Sequence, residues 1–262
     1  MATVIKAPTT NRTVRSQVSR EEWAAREDLA ALYRFIAQKK WDDHIFTHLS
    51  MRVPGEPNAY LLNPLNLTFD EITASSLLKV SSKGEKMLES PYLLNRAAYI
   101  IHHAVYAAID HANCVIHLHT PHGTAVSMQA DGLLPYSQHA MMLGKIAYHD
   151  YEGLATHEEE CERLARDMGE SKCMVLRNHG TLTWGQTVAE AFGLMFNFER
   201  ACEYQVLAMA GGAKLYKPDD KAIRDTATMQ YRRKNPEDNP YNKAAWDAVR
   251  RNLDRTQPDY RD

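Results

Sequence analysis

The chain lacks the features that would place it in a membrane, in an oxidising compartment or on a nucleic acid. No apolar run in its 262 residues approaches the ~18 needed to span a bilayer. Cysteine is scarce: Cys114, Cys161, Cys173 and Cys202 are the only four, none forms a CxxC pair, and no zinc-ribbon spacing occurs. A disulfide framework is thereby excluded, and free thiols in a reducing cytoplasm are expected. Neither sign of charge dominates, the net charge being −2 with histidine neutral. Without a basic excess there is no broad electrostatic footprint for nucleic acid or an anionic membrane surface. Residues 1–20 are polar, carry Lys6, Arg12, Arg15 and Arg20, and lack the apolar stretch of a secretory signal, so they read as a flexible arm. Internal repeats and low-complexity blocks are also absent.

What the chain has is an ordinary globular composition, 44% apolar and 24% charged, and a regular alternation of elements. Leu29, Leu32, Tyr33 and Ile36 fall at three- and four-residue spacing and predict an amphipathic helix over 21–38, with Ser19 as N-cap. Short strands are expected at 46–53, 59–62 and 77–80 around turns at Pro54-Gly55 and Lys83-Gly84. A helix over 91–110 opens at Pro91, with its stripe through Leu94, Ala98, Ile101 and Val105. Then come a strand at 114–119, a short helix at 123–129, a charged helix at 157–168 and a buried strand at 173–176. A long helix over 187–209 opens with Thr187 and Glu190, a capping-box pair. Residues 213–240 read as irregular, and 244–253 as a terminal helix. The pattern predicts one α/β domain over 21–212, with helices covering a sheet, and a C-terminal arm over 213–262.

Histidine is the rich signal, with twelve in the chain. In His117-Leu118-His119 on a strand, alternate residues share a face, so the two imidazoles point the same way at the strand end. Two such nitrogens suit one borderline metal ion. Arg177-Asn178-His179-Gly180 ends another buried strand. If the two strands are neighbours, His179 completes a facial set of three with positions open to substrate or water. An HxH pair also occurs as two ordinary histidines, and spacing alone does not make the strands adjacent.

The strings FTHLSMRVPG (46–55), NPLNLTFDEITASSLLKV (63–80), HLHT (117–120), RNHG (177–180) and AEAFGLMFNFE (189–199) resemble, in order and spacing, the motifs of the class II aldolase/adducin head domain family. The likeness runs from Trp23 to Leu207, and the end LDRTQPDYRD is similar to tails of adducin-like bacterial members. The resemblance implies a three-layer α/β/α fold with a central mixed, largely antiparallel sheet, a homotetramer, and a divalent ion on His117, His119 and His179, with zinc first and manganese or iron as alternatives. It also exposes departures. Members that act on sugar phosphates carry a Ser-Ser-Glu motif with a His four residues after the Glu. Matching that His to His102 puts the Glu on Ala98, the serines on Ala97 and Arg96, and the family's phosphate-binding Asn on His48. The acid/base carboxylate is missing, which points away from a sugar phosphate held in the usual way.

Other polar residues are candidates to compensate. His139 lies near the family's Tyr proton donor, which reaches across a subunit interface. Tyr151 and His102 are further catalytic candidates, and Arg52, His48 and His122 are candidates for substrate binding. Arg52 either orients a substrate carboxylate or makes a structural ion pair. Three functions follow from the resemblance. The first is a lyase acting on a C–C bond of a small non-phosphorylated carbonyl, hydroxy-acid or hydroxyaromatic carboxylate, by aldol cleavage or decarboxylation. The others are a non-haem iron oxygenase and a non-catalytic adducin-like scaffold.

Overall fold

A computed structural model describes residues 13–153, 159–231 and 239–262. Seven strands form one sheet: β1 (His48–Val53), β2 (Glu56–Leu62), β3 (Leu78–Ser81), β4 (Cys114–Leu118), β5 (Ile146–His149), β6 (Cys173–Leu176) and β7 (Gly180–Gly185). Their order is β3-β2-β1-β4-β7-β6-β5. Every neighbouring pair is antiparallel except β5 with β6. The helices are α1 (Arg20–Lys39), α2 (Arg96–Ala108), α3 (Pro121–Ser127), α4 (Gln138–Met142), α5 (Glu159–Met168), α6 (Val188–Met209), α7 (Asp220–Tyr231) and α8 (Pro240–Thr256).

Strand alternation divides the core in two. Leu49, Leu61, Cys114, Ile116 and Leu118 face one side and pack with Leu29, Leu32 and Ile36 of α1, Phe192 and Met195 of α6, and Trp246 and Leu253 of α8. Tyr60, Leu62, Val115, Leu182 and Trp184 face the other and pack with Ile101 and Val105 of α2 and Leu164 and Met168 of α5. This is the expected α/β/α sandwich with a mixed, largely antiparallel sheet. His117 alternates with Ile116 and Leu118 and so shares the α2 side with Val115. His48 of β1 stands directly across from it.

Several boundaries differ from the sequence reading, each for a local reason. Ser19 does cap α1, accepting the Glu22 N–H at 3.0 Å. Helix α2 begins at Arg96 and not at Pro91, because the Asn95 side chain accepts the Ala98 N–H and fixes the first turn there. Thr187 caps α6 through the Glu190 N–H, but the Glu190 carboxylate takes the Gln186 N–H and Lys172, so the reciprocal half of a capping box is not made. Strands β5 and β7 were not legible, the first being four residues long and the second bounded by glycine at both ends. Residues 213–240 contain α7, a helix with few large apolar residues that carries the Lys221–Asp225 pair one turn apart. The start of the helix expected from His157 and most of the arm expected over 1–20 lie outside the described residues.

The C-terminal segment is not a free arm. Trp246 and Leu253 are buried in the chain's own core, whereas Tyr241 is 75% exposed. Beyond α8, Tyr260 is fully buried and its hydroxyl donates to Asp254 at 2.7 Å. Its carbonyl accepts the Ala74 N–H at 2.9 Å, and Arg34 of α1 pairs with Asp259 at 2.8 Å. The Tyr260→Ala variant should therefore lose about 3–5 kcal/mol in urea unfolding, the usual cost of truncating a large buried aromatic. A loss below about 1 kcal/mol would show that this packing contributes little.

Candidate metal centre

The three histidines meet where β4 ends and β7 begins. Leu118 pairs with Thr181 and His117 with Leu182, which sets the β6–β7 turn beside His119. Two backbone features allow the approach. Asn178 adopts a left-handed conformation, φ 56°, and turns the chain between β6 and β7. A Cβ on Gly180 would lie 2.3 Å from the Leu118 carbonyl oxygen, so only glycine fits next to the β4 end.

The geometry is that of a cation site. His119 Nε2 lies 2.9 Å from His117 Nε2 and 2.8 Å from His179 Nε2. His117 donates Nδ1–H to the Thr181 carbonyl at 3.0 Å, and His119 donates Nδ1–H to Asp43 Oδ2 at 3.1 Å. Both acceptors can only accept, so each neutral ring carries its proton on Nδ1 and presents a bare Nε2 lone pair. Lone pairs facing one another at such distances repel unless a positive ion lies between them, and neutral imidazole nitrogens are what zinc and related divalent ions take. The residues fit the group that the family implies. Burial, reinforced by the neighbouring rings, holds His117 well below the ordinary histidine range, and burial pushes His179 down to about 4. His117 is fully buried, while His119 and His179 are partly exposed, so the cluster opens on one side.

Behind the centre runs a buried hydrogen-bonded chain. Tyr106 of α2 has a hydroxyl whose only partner among the described residues is Ser50 Oγ, at 2.8 Å. Ser50 in turn contacts His102 Nδ1, and His102 Nε2 lies 2.9 Å from His48 Nδ1. A buried hydroxyl must donate, so the protons run Tyr106 to Ser50 to His102 to His48. The remaining N–H of His48 is then on Nε2, which has no partner among the described residues. Its ring centroid is 4.9 Å from that of His117. Burial holds His48 well below the usual range and pushes His102 down to about 3, so both rings are neutral donors at neutral pH.

The other candidates fall in three places. Tyr151 is 54% exposed, with its ring 6.5 Å from that of His179. His122 sits on the first turn of α3, partly exposed, three residues after His119. His139 of α4 packs edge-on against Tyr204 of α6, and no contact in the described chain joins it to the three histidines. Two candidates are already engaged within the chain. Both ring nitrogens of His102 have protein partners, Ser50 at Nδ1 and His48 at Nε2. Arg52 makes no ion pair among the described residues: it donates to the carbonyls of Ala112, Pro57 and Tyr106 and lies over the Tyr106 ring, tying β1 to the end of α2. Asp43, Ser50, Tyr106, Thr181 and Glu199 were missed. Of these Ser50 and Glu199 stood in motif strings, without roles. Glu199 is buried with its carboxylate on the hydroxyls of Thr120 and Thr181, and burial pushes it up to about 7.

Ala98, where the family's carboxylate would stand, is buried among apolar residues of α2. A separate apolar cavity of about 660 Å³ between α1, α4, α6, α7 and α8 contains none of the three histidines.

The His119→Ala and His179→Ala variants should each retain little divalent metal by elemental analysis, and metal content equal to wild type in both would refute the site. Asp43→Ala should weaken metal affinity by about 10-fold, the low end for an outer hydrogen-bond partner, because Asp43 is half exposed.

Residues 27–206 match the family described as the Class II Aldolase and Adducin N-terminal domain. The chain is 45% identical over 249 residues to the "Putative aldolase class 2 protein" of Pseudomonas aeruginosa, covering 95% of this chain and 96% of that one. It is 40% identical to rat alpha-adducin over 213 residues, 79% of this chain but 28% of adducin. A crystal structure of an aldolase II superfamily protein from Pseudomonas syringae superposes with a TM-score of 0.90 at 43% identity, covering 96% of this chain and all of the other. With the sheet, the histidine cluster and these likenesses in agreement, the chain belongs to the class II aldolase and adducin N-terminal domain family.

Proposed function

We propose that the protein is a divalent-metal-dependent lyase that breaks a C–C bond in a small non-phosphorylated carbonyl, hydroxy-acid or hydroxyaromatic carboxylate. The observation that carries this reading is the set of three Nε2 atoms converging on one partly open side, two of them held as bare lone pairs. Bound there, zinc or a related ion supplies Lewis-acid stabilisation for negative charge that develops on a substrate oxygen.

The chain's own groups do the rest. His48 offers an N–H beside His117, held in one tautomer by His102, Ser50 and Tyr106, and donates it to a substrate oxygen. Tyr151 stands at the exposed edge with a hydroxyl that can give a proton, and His122 borders the opening from α3. Ala98 supplies no base, and general acid–base help is typically worth ~10²–10⁴-fold. Decarboxylation suits such a site, because CO2 leaves without removal of a hydroxyl proton. His139 acts only if a second protomer brings it to the opening, which accords with a homotetramer.

The likeness to alpha-adducin favours a second reading, a non-catalytic scaffold. Retention of all three histidines with two fixed tautomers weighs against it. A non-haem iron oxygenase would use the same open site. Oxygen uptake by iron-loaded protein separates it from a lyase.

A panel of substrates tests the proposal on metal-loaded protein. Hydroxy-acids or hydroxyaromatic carboxylates should be turned over, with sugar phosphates slower by about 10²-fold or more, the worth of the missing base. Efficient cleavage of a sugar phosphate would overturn the substrate assignment. Sedimentation at micromolar concentration should give a tetramer, and a monomer would remove His139 from the mechanism.

A further inference from the structure

Glu199 is a buried carboxylate in the middle of α6, 3% exposed, with no ion-pair partner among the described residues. Its two oxygens divide between two hydroxyls. One accepts from Thr120, the residue after His119 and the N-cap of α3, and the other accepts from Thr181 at 3.0 Å, two residues after His179. The Thr181 carbonyl is the group that orients His117. A single side chain thus holds the backbone next to each of the three ligands. Close packing of α3 against α6 makes this reach possible: a Cβ on Gly123 would lie 2.7 Å from Thr120 Oγ1 and 3.0 Å from a Glu199 oxygen.

A carboxylate in this setting is costly. Burial disfavours its charge, and two hydroxyl donors without a cation offset only part of that cost. An amide of the same shape would fill the space without the penalty. Three neutral imidazoles, however, leave a divalent ion with its full double charge, and Glu199 is the buried acid attached to both ligand-bearing strand ends. We infer that Glu199 is a positioning residue of the metal centre, clamping the ends of β4 and β7 so that the three histidines converge and setting a negative charge behind the ion. This inference rests on the reading that His117, His119 and His179 hold a metal.

The test is cobalt(II) titration of the full chain, read by ligand-field absorption and by the dissociation constant, alongside thermal unfolding of the metal-free protein. Glu199→Gln should unfold at the wild-type temperature or higher, having lost a buried charge. Its cobalt affinity should fall about 10–100-fold, the range for outer partners of metal ligands, and its absorption bands should shift. Thr181→Val removes one of the two hydroxyls with little change in volume and should weaken cobalt binding in the same direction. It serves as the measurement if Glu199→Gln does not fold. Wild-type affinity and an unchanged spectrum in Glu199→Gln, or in Thr181→Val where only that variant folds, would overturn the clamp and leave Glu199 as packing. Failure of the wild-type chain to bind cobalt would instead remove the metal site itself.

Discussion

Imidazole nitrogens whose lone pairs face one another repel unless a cation lies between them, and His117 and His119 are held in that situation with a third ring, His179, converging on them. Each ring has to be neutral, turned to one tautomer and brought to one point from two strands. Neutrality comes from burial, which favours the uncharged form of His117 and His179. The tautomers of His117 and His119 come from oxygen acceptors on the far sides of their rings. Convergence comes from the register of β4 with β7 and from a glycine at the one position where a side chain would strike the neighbouring strand.

The space behind the centre is as constrained as the centre. His48 and His117 are opposite residues on adjacent strands, so whatever occupies position 48 must pack against a metal ligand. A second imidazole does so only if its own polar atoms are satisfied. His102, Ser50 and Tyr106 provide for Nδ1 and leave Nε2–H as the one group still able to bind something else. In the same chain both nitrogens of His102 already have protein partners. Ala98 adds no carboxylate to this region, being buried among apolar residues of α2.

Family membership sets limits on function without choosing it. The chain is about as similar to a bacterial protein named for aldolase class 2 as to the head of alpha-adducin, and it covers nearly all of the first but only a quarter or so of the second. What separates a lyase from a scaffold is the chemistry of the site. Side chains of β4, the β6–β7 turn, the Asp43 segment and α6 hold the three imidazoles close together, and burying polar groups in such an arrangement is costly without a ligand.

Local pattern carried much of the architecture. Apolar spacing placed α1, a capping pair marked the start of α6, short apolar runs placed β4 and β6, and HxH with NHG named the three histidines, because these depend on neighbours a few residues away. Boundaries set by a single side chain, such as Asn95 ahead of α2, were not legible, nor were the short strands β5 and β7 or the sparsely apolar α7. Roles that depend on distant partners were beyond the sequence for the same reason. Arg52 could be recognised as a cation but not as one already occupied by three carbonyls. Trp246, Leu253 and Tyr260 could be recognised as large groups but not as parts of the core. The sequence by itself determined which residue types were available to bind a metal and on which strands they stood. Only the tertiary structure decided that His179 meets His119 at a sequence separation of 60, that His48 rather than His102 keeps an N–H without a partner among the described residues, and that Glu199 faces both threonines. These are contacts between residues far apart in the chain, and only strand register and helix packing bring them together.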